Sequence, residues 1–337
     1  MRPSRSGVVA ALLVAVTVTA AACGSTSGPV SPGPTATQTE TPTGSPTGSP
    51  TRGALPGTTV PGTQLTGAGA FEGPVRQVPV NGIKIGYRQF GTGPDLVMVL
   101  GYTAAMSLWT VDLLSGLARH FRVTIFDNRG VGYTTDNLSQ PITVPLMAQD
   151  TVGLIQVLGQ RSPILLGWSM GGEIGLTVAA LHPGVLAKLV TSGANPGSSQ
   201  SVQTSPEVIH ELSDPATTPE QLLDLLFPPT AEAAKARFSQ QYLLVPQEKV
   251  SALTIKRQGA AVTGFAEDSG TWNALPGVAI PVLVTNGTED VIVPPANAAV
   301  IKRGIKDARV ELFAGAGHAM FFQDTDRFVA LVAGFSG

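Results

Sequence analysis

From Asp95 onward, short apolar runs alternate with stretches whose apolar residues recur every three or four positions, and this rhythm restricts the fold more than any other feature. The segments "DLVMVLG" (95–101), "RVTIFD" (122–127), 163–167 and 187–191 read as buried strands, with helices expected over 109–119, 146–158 and 170–182. Strands that alternate with helices imply a mostly parallel sheet covered on both faces. The rhythm pauses over about 196–275, where helices are expected near 219–226, 231–243 and 248–262. It resumes with a strand at 281–287, a helix at 295–303, a strand at 308–314 and a helix at 319–333. The expected class is therefore α/β: a mostly parallel sheet flanked by helices, with a helical cap inserted over the C-terminal edge of the strands. Upstream, "VRQVPV" and "IKIGYRQF" flank Asn81-Gly82, a strong hairpin signal.

The N-terminal 70 residues belong to a different kind of chain. Arg2 and Arg5 precede an apolar stretch from Gly7 to Ala22, too short for a comfortable membrane span, so residues 1–22 read as an export signal peptide. Cys23, the single cysteine, follows the small residues Ala20 to Ala22 in a run that resembles a bacterial lipobox, although Ala20 stands where Leu is commoner. Lipid attached at Cys23 would hold the protein on the outer face of the cell membrane. Residues 23–70 are built from Ser, Thr, Pro, Gly and Ala and bury too little apolar area to offset their ordering entropy, so a lipid-anchored disordered tether is expected. The folded body is then 71–337. Removing Arg2 and Arg5 from the 21 basic residues leaves 19 against 23 acidic ones, a net charge of −4 with no basic cluster, so no nucleic-acid partner is expected.

Gly167-Trp168-Ser169-Met170-Gly171 falls at the junction of one expected strand and the next helix. A sharp elbow there pushes the Ser169 hydroxyl out of the sheet, while Gly167 and Gly171 remove side chains where the backbone is crowded. Gly172 and Gly175 would let the helix lie close to the sheet. A hydroxyl attacks well only when a base takes its proton. Four histidines are available. His120 and His182 stand at helix ends and His210 lies in the cap. His318, in "GAGHAMFFQ", follows a strand at the same sheet edge as Ser169 and is the expected base. The carboxylate that orients it is expected to be Asp290 in "NGTEDVIVP", with neighbouring Glu289 and strand-ending Asp127 as competitors. Asp127, in "DNRGVG", is expected instead to accept loop N–H groups and pair with Arg129. This chemistry calls for no cofactor and no metal.

These residues give the chain, from about Val75 to Phe335, a resemblance to the α/β-hydrolase superfamily, its serine-nucleophile, esterase-like branch. Serine, acid and histidine occur in that family's order, each after a strand. "FDNRGVGYT" resembles its D-x-R-G-x-G-x-[ST] loop, with Thr134 in the last position. The resemblance implies a serine hydrolase acting through an acyl-enzyme on small to medium uncharged esters. It also implies an oxyanion hole made by the backbone N–H groups of Tyr102 and Met170. Leu100-Gly101-Tyr102 departs from the family's common His-Gly at this point, yet a hole made of backbone survives such a change. An exported lipoprotein of this kind further suggests an actinobacterial source.

Met106 and Trp109 are expected to border an apolar substrate pocket beneath cap residues such as Leu222, Leu223, Leu226, Phe227, Phe238, Tyr242 and Leu243, most of which should be core. Lys235, Arg237, Lys249 and Arg257 are expected to be solvent-exposed. Were they instead to recognise a carboxylate, an exopeptidase or amidase would be the alternative. A cofactor-free haloperoxidase-like perhydrolase shares the same three residues, and a non-catalytic ligand-binding lipoprotein is the alternative outside enzymology.

Overall fold

A computed structural model describes residues 56–59, 74–214, 216–243, 248 and 250–337. The expected signal peptide, Cys23 and most of the expected tether lie outside these residues. One piece of the expected tether is ordered: Thr58–Thr59 forms β1 and pairs antiparallel with β2 (Arg76–Val80). It docks there because β2 has a free edge, and the Pro56 carbonyl gives the Tyr87 hydroxyl an acceptor at 2.6 Å.

β2 turns into β3 (Ile83–Gly91) through Asn81 and Gly82, whose φ values of 46° and 76° are those of a two-residue hairpin turn. The alternating segment follows: β4 (Asp95–Val99), α1 (Val111–Ala118), β5 (Arg122–Phe126), α2 (Val144–Val157), β6 (Ile164–Trp168), α3 (Met170–Leu181) and β7 (Lys188–Ser192). The cap contributes α4 (Pro206–Ser213), α5 (Pro219–Leu226), α6 (Glu232–Leu243), α7 (Ala252–Glu267) and the short α8 (Gly270–Ala274). The chain closes with β8 (Val282–Gly287), α9 (Ala296–Gly304), β9 (Arg309–Phe313), α10 (Met320–Gln323) and α11 (Thr325–Ser336). The sheet order is β1-β2-β3-β5-β4-β6-β7-β8-β9, parallel from β5 to β9 and antiparallel before it.

The continuous apolar strands are explained by two buried faces. Leu96, Met98 and Leu166 pack with α1 and α11 residues such as Leu113 and Phe328, whereas Val97, Val99 and Leu165 pack on the other side with residues of α2 and α3 such as Leu154 and Ile174. The cap joins both layers, since Leu223, Phe227, Phe238 and Tyr242 belong to the first and Ala261 and Phe265 to the second. Of the apolar cap residues named above, Leu243 alone is well exposed.

Further elements differ from the sequence reading. α4 and the short α8 were not expected, and the C-terminal helix is broken at Asp324, where φ −131° and ψ 69° leave the helical region and the carboxylate caps the Arg327 N–H. The D-x-R-G loop also differs in its pairing. Arg129, with a fully buried side chain, binds Asp150 on α2 at 2.8 and 2.9 Å rather than Asp127. Asn81 Nδ2 donates to the same carboxylate at 3.1 Å, tying the hairpin to α2.

Burial raises the Asp150 carboxyl above its ordinary value even with Arg129 bound to it. Arg129→Met would leave that carboxylate without its counter-ion, and the unfolding free energy in urea should fall by about 3–5 kcal/mol. A loss under about 1 kcal/mol would show the pair to be dispensable.

Candidate active site

Ser169 occupies the turn between β6 and α3 with φ 57° and ψ −126°, outside the regions a residue with a side chain normally adopts. A β-carbon on Gly167 would overlap the Gly171 carbonyl, and one on Gly171 would overlap the carbonyl of Val99 in β4. The elbow therefore closes only with glycine on both sides of the serine. Its backbone is held in place by Ser169 N–H to Ser192 O at 2.9 Å, and by Gly172 and Glu173 N–H groups on Ser169 O at 2.8 and 3.1 Å.

Asp290 and His318 meet at the ends of β8 and β9. Nδ1 of His318 lies 2.8 Å from Oδ2 of Asp290, with side chains 3% and 0% exposed. The other carboxylate oxygen accepts the N–H groups of Ile292 at 2.9 Å and Val293 at 2.8 Å, so the acid cannot swing away from the ring. With Nδ1 bound to the carboxylate, the neutral ring keeps its proton there and leaves Nε2 as the basic nitrogen. The imidazole also lies against Trp168, ring centroids 5.3 Å apart, and the Trp168 indole N–H donates to the His318 carbonyl at 3.1 Å. A β-carbon on Gly193, at the end of β7, would stand 3.0 Å from His318 Cε1 and 3.4 Å from Asp290 Oδ2, so β7 passes directly under the pair.

The competing residues sit elsewhere. Glu289 is exposed, and the oxygens of Asp127 are taken by the N–H groups of Met106 at 2.7 Å and Tyr133 at 2.8 Å. His120 and His210 are exposed, and His182 caps the C-terminus of α3. Tyr102 lies beside the serine: a β-carbon on Gly101 would stand 2.9 Å from Ser169 Cβ and 3.4 Å from its Oγ. Met170 is the first residue of α3, where a backbone N–H has no acceptor within the helix.

Three expectations are corrected. Trp109 is fully buried among Phe321, Phe322 and Trp168 at 5.6 to 6.3 Å between ring centroids, and Met106 is buried in the same cluster. Both are core, not an open pocket lining. Two of the four cap cations are engaged rather than free in solvent: Lys235 pairs with Asp224, and Arg257 binds Asp136 at 2.7 Å. Arg237 is exposed and donates to the Phe322 and Gln323 carbonyls, while Lys249 lies outside the described residues.

Glu173 is a residue the sequence reading passed over. One turn into α3, it is buried behind the elbow with Oε1 accepting from Asn195 at 3.2 Å and Oε2 without a partner among the described residues. Loss of solvent pushes its carboxyl up to about 7.

The model of the α/β hydrolase fold family matches residues 94–325. Serine hydrolase BPHL of Homo sapiens is 27% identical over 267 residues, covering 77% of this chain and 85% of that one. A non-heme haloperoxidase of Rhodococcus erythropolis is 27% identical over 270 residues, covering 73% and 93%. The solved structure of the esterase RhEst1 from a Rhodococcus species superposes with a TM-score of 0.65 at 26% identity, over 77% of this chain and 98% of that one.

Because the Glu173 carboxyl titrates near 7 when folded and near 4.5 when unfolded, the native state keeps a proton that the unfolded chain loses between those values. Its contribution to stability is thus present at pH 4.5 and lost as pH rises to 7. Glu173→Gln removes this loss, so the variant should gain about 2–3 kcal/mol on wild type between pH 5 and pH 8 in urea titrations. A difference independent of pH would mean that Glu173 is not held protonated.

Proposed function

We propose a function from a plain premise: this chain belongs to the α/β-hydrolase fold family. It is a serine-hydrolase-type enzyme, and the reading of its site is that Ser169, His318 and Asp290 act as nucleophile, base and orienting acid in the hydrolysis of carboxylic esters. The observation that carries this is the buried 2.8 Å contact between His318 and Asp290 at the same sheet edge as the strained serine.

In this mechanism Ser169 Oγ attacks the ester carbonyl carbon while His318 Nε2 takes the hydroxyl proton. Asp290 stabilises the imidazolium without taking the proton itself. The carbonyl oxygen becomes an oxyanion between the Tyr102 and Met170 N–H groups, each donor worth about 3 kcal/mol in the transition state. The imidazolium then protonates the departing alcohol. Water, deprotonated by the same nitrogen, cleaves the acyl-enzyme and releases the carboxylic acid.

Small to medium uncharged esters fit best. Lys235 and Arg257 are already paired with carboxylates of the protein, which takes away two of the groups an exopeptidase would use for a terminal carboxylate. The haloperoxidase relative keeps a perhydrolase side reaction as the second reading. Ser169→Ala should abolish both hydrolysis of p-nitrophenyl esters and labelling by a fluorophosphonate, and Asp290→Asn should lower kcat by about 10³- to 10⁴-fold. An adduct on another residue, or efficient cleavage of aminoacyl amides with little ester turnover, would overturn the assignment.

For location, we propose that the chain is exported and held by lipid on Cys23 at the outer face of the membrane, as in an actinobacterial lipoprotein. The support is the sequence of residues 1–70. Among the described residues no helix is long and apolar enough to cross a membrane. Cys23→Ala should shift the protein from the membrane fraction to the soluble one, or stop its processing, with the specific activity of the purified body unchanged. Retention on the membrane after signal cleavage would exclude this anchor.

A further inference from the structure

The loop that carries Tyr102 is fixed from two directions. At its ends the sheet side holds it: Asn128 Nδ2 donates to the Leu100 carbonyl at 2.9 Å, and Met106 N–H donates to Asp127 at 2.7 Å. Its middle is held by the cap. Gln258 of α7 has no exposed surface; its Oε1 accepts the Thr103 N–H at 2.8 Å and its Nε2 donates to the Arg129 carbonyl at 3.1 Å. The Tyr102 hydroxyl donates to the Ile255 carbonyl, also on α7, at 3.1 Å.

The middle of this loop needs such support. Thr103 has φ 56°, a conformation that strains a β-branched residue and that the loop would leave if its N–H lost its acceptor. Within the same turn the Gly101 carbonyl is directed back to the Ala104 N–H at 3.4 Å. Carbonyl and N–H of a trans peptide point in opposite directions, so this sends the Tyr102 N–H away from the turn. Relaxation of Thr103 would turn that peptide and move the donor.

We propose that Gln258 is a positioning residue for the oxyanion hole: through Thr103, and together with the Tyr102–Ile255 contact, it fixes the direction of the Tyr102 N–H. The proposal rests on the ester-hydrolase reading above. It makes α7 part of the device that stabilises the transition state, beyond any role over the substrate. Gln258 touches neither substrate nor the reacting atoms and acts wholly through the loop.

The test uses the full chain and two variants, with turnover counted per active site by fluorophosphonate titration. Gln258→Met keeps length and loses both hydrogen bonds; Tyr102→Phe loses only the hydroxyl contact and, with its ring partly exposed, carries the test if the first variant does not fold. Removing an oxyanion donor outright lowers kcat by about 10²- to 10³-fold, so misdirecting one should cost Gln258→Met about 10- to 100-fold in kcat, with KM within about twofold. Tyr102→Phe should lose about 3- to 10-fold. A trifluoromethyl ketone, which adds Ser169 Oγ to its carbonyl and leaves an oxyanion in the hole, should weaken by the same factors, while the pH dependence governed by His318 stays in place. Wild-type kcat in Gln258→Met, or a loss of kcat with undiminished ketone affinity, would overturn the positioning role. A wild type that neither turns over esters nor takes the probe would overturn the functional reading itself.

Discussion

The rest of this structure is arranged around one peptide conformation, that of Ser169. At φ 57° and ψ −126° it stores on the order of 1–3 kcal/mol, which persists only where neighbours over-determine it. They do so here through glycine. Gly167 and Gly171 let β6, the turn and α3 approach closer than any side chain permits, and Gly172 and Gly175 lay α3 onto Thr191, Leu165 and Leu189 of the adjoining strands. Such closeness requires β6 to lie inside the sheet, between β4 and β7, and α3 to be apolar nearly all round. The central position of the elbow, the burial of the strands on both faces and the reach of β8 and β9 to the same edge belong to one solution.

That solution leaves a polar residue behind the elbow. Glu173 is carried inwards by the helix whose N-terminus must sit under the serine, and its surroundings supply Asn195, itself joined to Asn297 at 3.1 Å. Asn297 in turn holds both the N–H and the carbonyl of Val202, at 2.7 and 2.8 Å, where the chain departs for the cap. A single, partly buried network thus joins the back of the Ser169 turn to the root of the insertion. Its partners satisfy side-chain and backbone groups that would otherwise each cost about 1–3 kcal/mol when buried.

What could be read from the sequence was what depends on local pattern. The strands from Asp95 to Phe313 fall within two residues of their expected limits because a doubly buried strand is continuously apolar and its neighbours are not. The serine, acid and histidine segments were legible because each follows such a strand. What escaped was choice of partner across long separations. Arg129 finds Asp150 on α2 rather than the nearer Asp127, whose oxygens the loop N–H groups already occupy. Lys235 and Arg257 look like solvated surface until Asp224 and Asp136 are brought beside them. Gln258 carries no signal at all, since Thr103 lies 155 positions away. α4 escaped for a different reason: its apolar stripe is only Val208, Ile209 and Leu212, and its described residues all stay at least partly exposed.

The cap is consequently more than a cover placed on a finished catalytic base. Besides α7 on the Tyr102 loop, the Leu226 carbonyl at the end of α5 accepts the Ala319 N–H at 3.1 Å, next to His318. Gly317 fits against that same carbonyl, and Phe238 of α6 lies 4.8 Å from the ring of Phe322. Thr254 of α7 adds a hydrogen bond to the Gly130 carbonyl at 3.0 Å, in the loop that also secures Leu100 and Met106. The insertion therefore holds the His318 segment from one side and the Tyr102 loop from the other, while the Ser169 turn is fixed chiefly by the sheet and by the first turn of α3. With His318 as the proposed base and Tyr102 N–H as the proposed donor, changes in the cap pass through these hydrogen bonds to both. On that proposed assignment, substrate preference and catalytic rate depend on overlapping residues, because the same cap helices would line the substrate and support the donor and the base.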